Sequence, residues 1–331
     1  MSSSYWRGKT VVVSGGLGFI GSHFVEELVP LGANVICLYH KQSEKLLKHK
    51  NDDNVTYVQV DLVNNEELEA FYNNTVSNID TFIHCAALDG NTKFKLDHAA
   101  EILDANNRFV SNVLKVCKDK QIHNVALLSS AEVYSADAPS LITENDDYHK
   151  YLSFTDNGYV LSKIFSEMLA ELYSKQHKMH IYIPRPTNVY GPRDSFETTA
   201  NRVIPAMIRK VSKGETIEIW GDGKQTRSFI YVKDLVHTTL AAIEKNVTGP
   251  LNIATRDQVS ILDLASYISK EYNVDNLVAL DENKPVGVKT RSLDVSKMYD
   301  IIDFEPLPIQ EGLKRTIAWY NQLMKKDDNV G

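Results

Sequence analysis

Short runs of β-branched and other apolar residues alternate with longer amphipathic stretches through the first half of the chain. The runs are Thr10 to Ser14, Val35 to Tyr39, Thr56 to Val60, Thr81 to Cys85, Asn124 to Ser129 and His180 to Pro184. Nearly unbroken apolar strands of this kind are buried on both faces, as in a parallel sheet covered by helices. Between them, Ile20 to Leu31, Glu66 to Tyr72, Ala100 to Lys118 and Val160 to Lys175 have the spacing of helices with one apolar stripe. The alternation predicts an α/β fold with a doubly wound parallel sheet. After about residue 190 the pattern changes to turns, short strands and three helical stretches, Ile204 to Lys213, Ile261 to Glu271 and Ile309 to Leu323. This predicts a first domain over residues 1–188, to which 229–246 return, and a smaller mixed C-terminal lobe formed by 189–228 and 247–325.

Composition narrows the ligands. A chain of 331 residues, 43% hydrophobic and 24% charged, can bury a large core in one domain or two closely joined ones. A net charge of −7 and a pI near 5.8 exclude a general nucleic-acid or membrane-surface binder, because both need a positive footprint. Any anionic ligand must therefore be met by local arginines. Cys37, Cys85 and Cys117 lie far apart with no paired spacing, so they are expected to be buried thiols in a reducing compartment, with neither a disulfide framework nor a metal site. The first residues have no apolar core of a secretory signal, and no apolar run approaches the ~20 residues of a membrane span. The expected location is cytoplasmic, with no membrane partner.

The first strand runs directly into Gly15-Gly16-Leu17-Gly18-Phe19-Ile20-Gly21 and then a helix. Glycines at 15, 18 and 21 let the backbone approach a pyrophosphate and then pack helix on strand, with the helix N-terminus facing the anion. A purely structural turn would use them too. The strand, turn and helix context favours a dinucleotide site of the Rossmann kind, with Phe19 and Ile20 in its first helical turn. The second strand ends Tyr39-His40-Lys41, without the carboxylate that holds an adenosine ribose. His40 and Lys41 suit a 2′-phosphate instead, which favours NADP over NAD unless both merely face solvent. Asp61, followed by Leu62, is a candidate adenine contact or equally a loop-start aspartate that caps a helix.

Tyr159 and Lys163 stand one helical turn apart on one face. A nearby ammonium favours the phenolate, so it is expected to bring the Tyr159 pKa down toward neutrality and make the phenol an acid or base. Alone, such a pair could be surface residues. Before the helix comes Leu127-Leu128-Ser129-Ser130-Ala131-Glu132-Val133-Tyr134, a strand that ends in hydroxyls and a carboxylate at the edge where such sheets bind ligands.

These features together resemble the extended short-chain dehydrogenase/reductase superfamily, specifically its nucleotide-sugar epimerases and dehydratases. The resemblance rests on the glycine turn, His84-Cys85-Ala86-Ala87, Asn106, the Ser-Ser-Ala-Glu-Val-Tyr segment and the Tyr-x-x-x-Lys pair. It extends to Arg185 through Arg193, Gly221 through Val232, and Arg291 within Thr290-Arg291-Ser292. It implies that Tyr159 exchanges the sugar hydroxyl proton, Ser130 holds the reacting oxygen, and Lys163 holds the nicotinamide ribose. Ala86 and Asn106 join the cofactor contacts, and Asn188, Arg193, Arg227 and Arg291 face the nucleotide sugar. Each arginine, taken alone, could as well be in a surface ion pair.

The reaction expected is oxidation or reduction at C4 of a nucleotide-linked sugar, as a dehydrogenase, reductase or epimerase. Glu132 opens an alternative, because dehydratases and decarboxylases of the superfamily often carry a glutamate two residues after the catalytic Ser or Thr, as the base for C5. The dehydratases also have an aspartate between the two, where this chain has Ala131. Residues 186–206 are similar to GDP-fucose synthase and its relatives, which points to a GDP-sugar. Yet Glu132 and Arg193 stand where those enzymes have their epimerising cysteine and histidine. A binding-only sensor of the same fold would generally lack the Tyr159 and Lys163 pair. The apolar faces of 100–118 and 160–175 exceed what one sheet covers, and the resemblance implies that they pair into a homodimer.

Overall fold

Alternate residues of the first strand enter opposite cores. In this computed structural model, which describes residues 3–41, 52–75, 78–151, 155–197, 202–274, 278–281 and 292–328, Val11, Val12 and Val13 are all fully buried. Val12 packs with Ile36, Leu38, Phe82, Val125 and Ile181, while Val11 and Val13 pack with Val35, Cys37, Ile83 and Ala126 on the other face. A strand flanked by two apolar layers has no face to give to water, hence its continuous apolar sequence.

The strands are β1 (Thr10–Ser14), β2 (Asn34–Tyr39), β3 (Val55–Gln59), β4 (Thr81–His84), β5 (Asn124–Leu127), β6 (His180–Pro186) and β7 (Gly249–Ile253). They form one seven-stranded sheet in the order β3-β2-β1-β4-β5-β6-β7, parallel throughout. The winding reverses between β1 and β4, and ligands of such sheets bind at that switch point. There Ser14 and His84 are register partners, and Ser14 Oγ lies 2.8 Å from His84 Nδ1.

One face of the sheet is covered by α1 (Phe19–Leu28), with Phe24 and Leu28, and the other by α2 (Asn65–Thr75), with Leu68 and Phe71. The short α3 (Thr92–Asp97) leads into α4 (Ala99–Asp119), which lies against α5 (Gly158–His177). The C-terminal lobe contains α6 (Val203–Ser212), α8 (Ile261–Glu271) and α9 (Ile309–Asp328), whose Ile208, Leu264 and Leu313 share a core. Its small sheets are mixed, with Ile217–Trp220 parallel to Val278–Asp281 and Thr226–Arg227 antiparallel to Val259–Ser260.

The intervening α7 (Val232–Glu244) packs Val236 and Leu240 into the core of the first domain. Glu27 of α1 clamps it through Lys233 Nζ at 2.7 Å and His237 Nε2 at 2.9 Å. One assignment needs correction. The sequence pattern placed 249–253 with the C-terminal lobe, but these residues form β7 and extend the main sheet beside β6. Gly249-Pro250 reads as a turn, and only the sheet edge next to β6 makes it a strand.

Candidate active site

The glycine turn closes on itself tightly. Gly15 has φ +67°, and a Cβ there would come within 2.8 Å of the Ala86 backbone nitrogen in the loop after β4. A Cβ on Gly21 would overlap the carbonyl oxygen of Gly15. Gly18 is the N-cap of α1 and offers no side-chain cap to its first turn, so that turn presents backbone N–H groups without a competing acceptor from its own cap. Such a cradle fits the pyrophosphate of a dinucleotide, with Phe19 and Ile20 at its rim. His40 and Lys41 are exposed at the end of β2, and the carbonyl of His40 accepts from Gln59 Nε2 at 3.0 Å.

Other residues read as cofactor contacts also have partners within the scaffold. The Asp61 carboxylate accepts from the Val63 N–H at 3.0 Å and so caps its own loop, and Leu62 is buried in the core. The Asn106 side chain accepts from Leu88 N at 2.7 Å and donates to Leu88 O at 3.1 Å and Ser162 Oγ at 3.1 Å. It ties the loop that follows Ala86 to α5.

The catalytic candidates meet where the end of β5 faces the start of α5. Asn157 caps α5, its side chain accepting from Tyr159 N at 3.1 Å and Val160 N at 3.3 Å. This sets Tyr159 and Lys163 on the inward face. Ser130 caps the short 3-10 turn Ala131–Val133, accepting from Glu132 N at 3.1 Å, and its hydroxyl favours ionisation of the nearby Tyr159 phenol. Lys163 Nζ donates to the Leu128 carbonyl at 2.6 Å. Burial lowers the Lys163 pKa to about 8, against the opposing pull of Asp89.

The expected electrostatics of Tyr159 are reversed. Burial, followed by the carboxylates of Asp89 and Glu132, raises its pKa well above the ordinary value, outweighing Arg202 and the Ser130 hydrogen bond. The phenol is therefore protonated. The ammonium of Lys163 lies 5.4 Å from the ring centroid and gives one of its protons to the Leu128 carbonyl, and the carboxylates and burial outweigh the groups that favour the phenolate.

Behind the site, Glu167, one turn beyond Lys163, accepts from Ser129 and pairs with the fully buried Arg185. Arg185 also donates to Asp147 at 2.8 Å and to the Tyr134 hydroxyl at 2.9 Å, so no buried charge is left alone. Neither residue was singled out from the sequence, although Glu167 continues the spacing of Tyr159 and Lys163.

A second group escaped the sequence reading. Lys95, 7% exposed, places Nζ 2.8 Å from Glu132 Oε1, 3.2 Å from Asp89 Oδ1 and 4.0 Å from the centroid of the Tyr159 ring. Arg202 joins Asp89 at 2.9 Å to Asp194 at 3.0 Å. Burial raises Asp89, but Lys95, Arg202 and the Gly90 N–H more than offset this and hold its carboxyl below the usual range. Burial lifts Asp194 to about 6 despite Arg202.

Of the residues expected to meet the substrate, Asn188 donates to the Ser228 carbonyl at 2.9 Å. Arg227, part-buried, donates to the Thr226 carbonyl at 2.7 Å, and burial lowers its pKa. Arg193 is ion-paired with Glu26 of α1 through Nη2 at 2.6 Å. Arg291 lies outside the described residues. Cys37 and Cys117 are buried free thiols and Cys85 is partly buried. Among the described residues no cluster could hold a metal ion, and no helix is long and apolar enough to cross a membrane.

Comparisons with known proteins place this geometry. A dTDP-4-dehydro-6-deoxy-D-allose reductase from a Streptomyces species is 43% identical over 97% of this chain and 98% of its own. A UDP-N-acetyl-alpha-D-glucosaminuronate decarboxylase from Bacillus cytotoxicus is 30% identical, covering 95% of this chain and 98% of its own. Among solved structures, a UDP-N-acetylglucosamine 4-epimerase from Methanobrevibacter ruminantium superposes with a TM-score of 0.85 at 27% identity, over 96% of this chain and all of that one. Residues 11–254 match the family model, and the chain is an enzyme that belongs to the NAD dependent epimerase/dehydratase family.

Proposed function

We propose that the chain reduces the C4 ketone of a dTDP-linked 4-keto-6-deoxyhexose, with NADPH favoured over NADH. The observation that carries this reading is the buried phenol of Tyr159, whose raised pKa keeps it protonated beside Ser130. Reduction of a ketone requires an acid at the carbonyl oxygen, and a neutral phenol is that acid. Support for the substrate class comes from the 43% identity to a reductase along nearly the whole chain. The nucleotide proposed is thus thymidine, where the sequence pointed to guanosine.

When bound, the reduced nicotinamide supplies a hydride. The Tyr159 O–H donates its proton to the sugar O4 as C4 becomes tetrahedral, so that ketone, hydride and proton together give the secondary alcohol. Ser130 holds the same oxygen. Lys163, fixed on Leu128 O, orients the cofactor ribose, and the phenolate left on Tyr159 regains its proton from water. His40 and Lys41, exposed at the end of β2, would meet a 2′-phosphate, and the strand itself ends without a carboxylate. Arg227 meets the substrate diphosphate, which replaces the hydration lost on burial.

The working form is a cytoplasmic homodimer. Phe165, Met168 and Leu172 of α5 are 36%, 50% and 60% exposed and recur at helical spacing, an apolar stripe that a second copy would cover. The test of the reaction is incubation with dTDP-4-dehydro-6-deoxy-D-allose and NADPH or NADH. One reduced cofactor should be oxidised per sugar reduced; conversion of a sugar substrate with no net change in cofactor would identify an epimerase instead.

A further inference from the structure

The proton donation assigned above leaves Glu132 and the cation beside it without a role. Helix α3 has six residues, and Lys95 is the one that it buries. Asn91 starts this helix by accepting from Phe94 N at 2.8 Å. A buried ammonium is costly unless it is paired, and this one is paired twice, to Asp89 and to Glu132. Asp89 is itself fixed by the Gly90 N–H at 2.8 Å and by Arg202. The anchors of Lys95 thus come from the loop after β4 and the N-cap of α6, and its free end reaches the turn after β5.

Glu132 differs in kind. Its side chain is 47% exposed, and Lys95 holds Oε1 at 2.8 Å beside the Tyr159 ring. Once C4 of a bound sugar is a ketone, the hydrogens on C3 and C5 become acidic. A carboxylate loose at this position would take one of them. The C–H bond would break, its electron pair would form the enolate, and the proton on Glu132 would exchange with water before a proton returned to carbon.

We infer that Lys95 is a positioning residue that sets reaction specificity, tethering Glu132 so that the ketone is reduced at C4 without proton exchange at its flanking carbons. The inference rests on the reductase reading, because it needs a 4-keto sugar in the site. Asp89 and Arg202 serve it by holding the ammonium.

The experiment follows deuterium uptake from heavy water into C3 and C5 of dTDP-4-dehydro-6-deoxy-D-allose, with oxidised cofactor bound and reduced cofactor omitted, for the full-length chain and its variants. Wild type should exchange no faster than the sugar alone. Lys95→Met should raise exchange at least tenfold, Lys95→Arg should not, and Lys95→Met combined with Glu132→Gln should return to the wild-type value. Asp89→Asn, which loosens Lys95 without removing it, should give a smaller rise and substitutes for Lys95→Met if that variant does not fold, judged by its melting temperature and cofactor binding. Exchange by wild type, or folded variants that bind cofactor yet exchange no faster than wild type, would overturn the inference. Reduction of the same sugar is scored in a separate incubation with NADPH: if the wild type reduces it and the variants still do not exchange, the role of Lys95 falls, whereas a wild type that does not reduce it counts against the reductase reading.

Discussion

At the scale of single residues, Lys163 governs the pH response. Its ammonium is desolvated, and its pKa falls from 10.5 to about 8. A cation is needed there to hold the cofactor ribose, so kcat/KM for reduction should decline as pH rises through about 8, on a single alkaline limb read from a pH–rate profile. An unchanged rate to pH 10 would contradict this. The same depression means that the folded state binds fewer protons than the unfolded one between about 8 and 10.5, so charging Lys163 costs stability below about 8 and that cost fades as pH rises. Tyr159 acts in the opposite sense, since its raised pKa keeps the donor protonated throughout this range. Tyr159, Lys163, Ser130 and Glu132 are legible in the sequence because two local segments carry them all. Lys95 is not, because its partners Asp89 and Glu132 come from separate segments and only the fold brings them together. The ion pair of Arg193 is hidden for the same reason, as Glu26 lies 167 positions away.

At the scale of elements, the turn between β1 and α1 tolerates little change. Gly21→Ala would push a methyl into the Gly15 carbonyl, so α1 must draw back from β1. This should cost roughly 1–3 kcal/mol of stability, the usual cost of overpacking. Cofactor affinity should fall at least tenfold, measured by thermal melting and cofactor fluorescence titration. The helices and six of the seven sheet strands follow from apolar periodicity, because buried parallel strands and one-sided helices write distinct patterns. Elements too short or too turn-like to show a period do not. Helix α3 is too short to show a period, and β7 starts with Gly249-Pro250, a pair that local propensity assigns to turns.

At the scale of the whole molecule, a parallel sheet holds the glycine turn and the acid, while Arg202, at the start of a helix of the C-terminal lobe, reaches Asp89 beside them. Helix α7 fastens that arrangement. It follows a strand, Phe229–Tyr231, that pairs with Asn188–Tyr190, and is clamped to α1 by Glu27. The stripe on α5 predicts association. Sedimentation should show a dimer, and Met168→Glu together with Leu172→Glu should shift it to monomer, with a melting point that becomes independent of concentration. A wild-type chain that stays monomeric at high concentration would remove the dimer from the account. The central claim is reduction at C4 with Tyr159 as proton donor, and isotope transfer tests it most directly. With NADPH deuterated at the transferring position of the nicotinamide C4 and dTDP-4-dehydro-6-deoxy-D-allose, the account predicts one deuterium at sugar C4 in every product molecule, and loss of that product in Tyr159→Phe with cofactor still bound. Product that carries no deuterium at C4, or unchanged turnover by Tyr159→Phe, would contradict it.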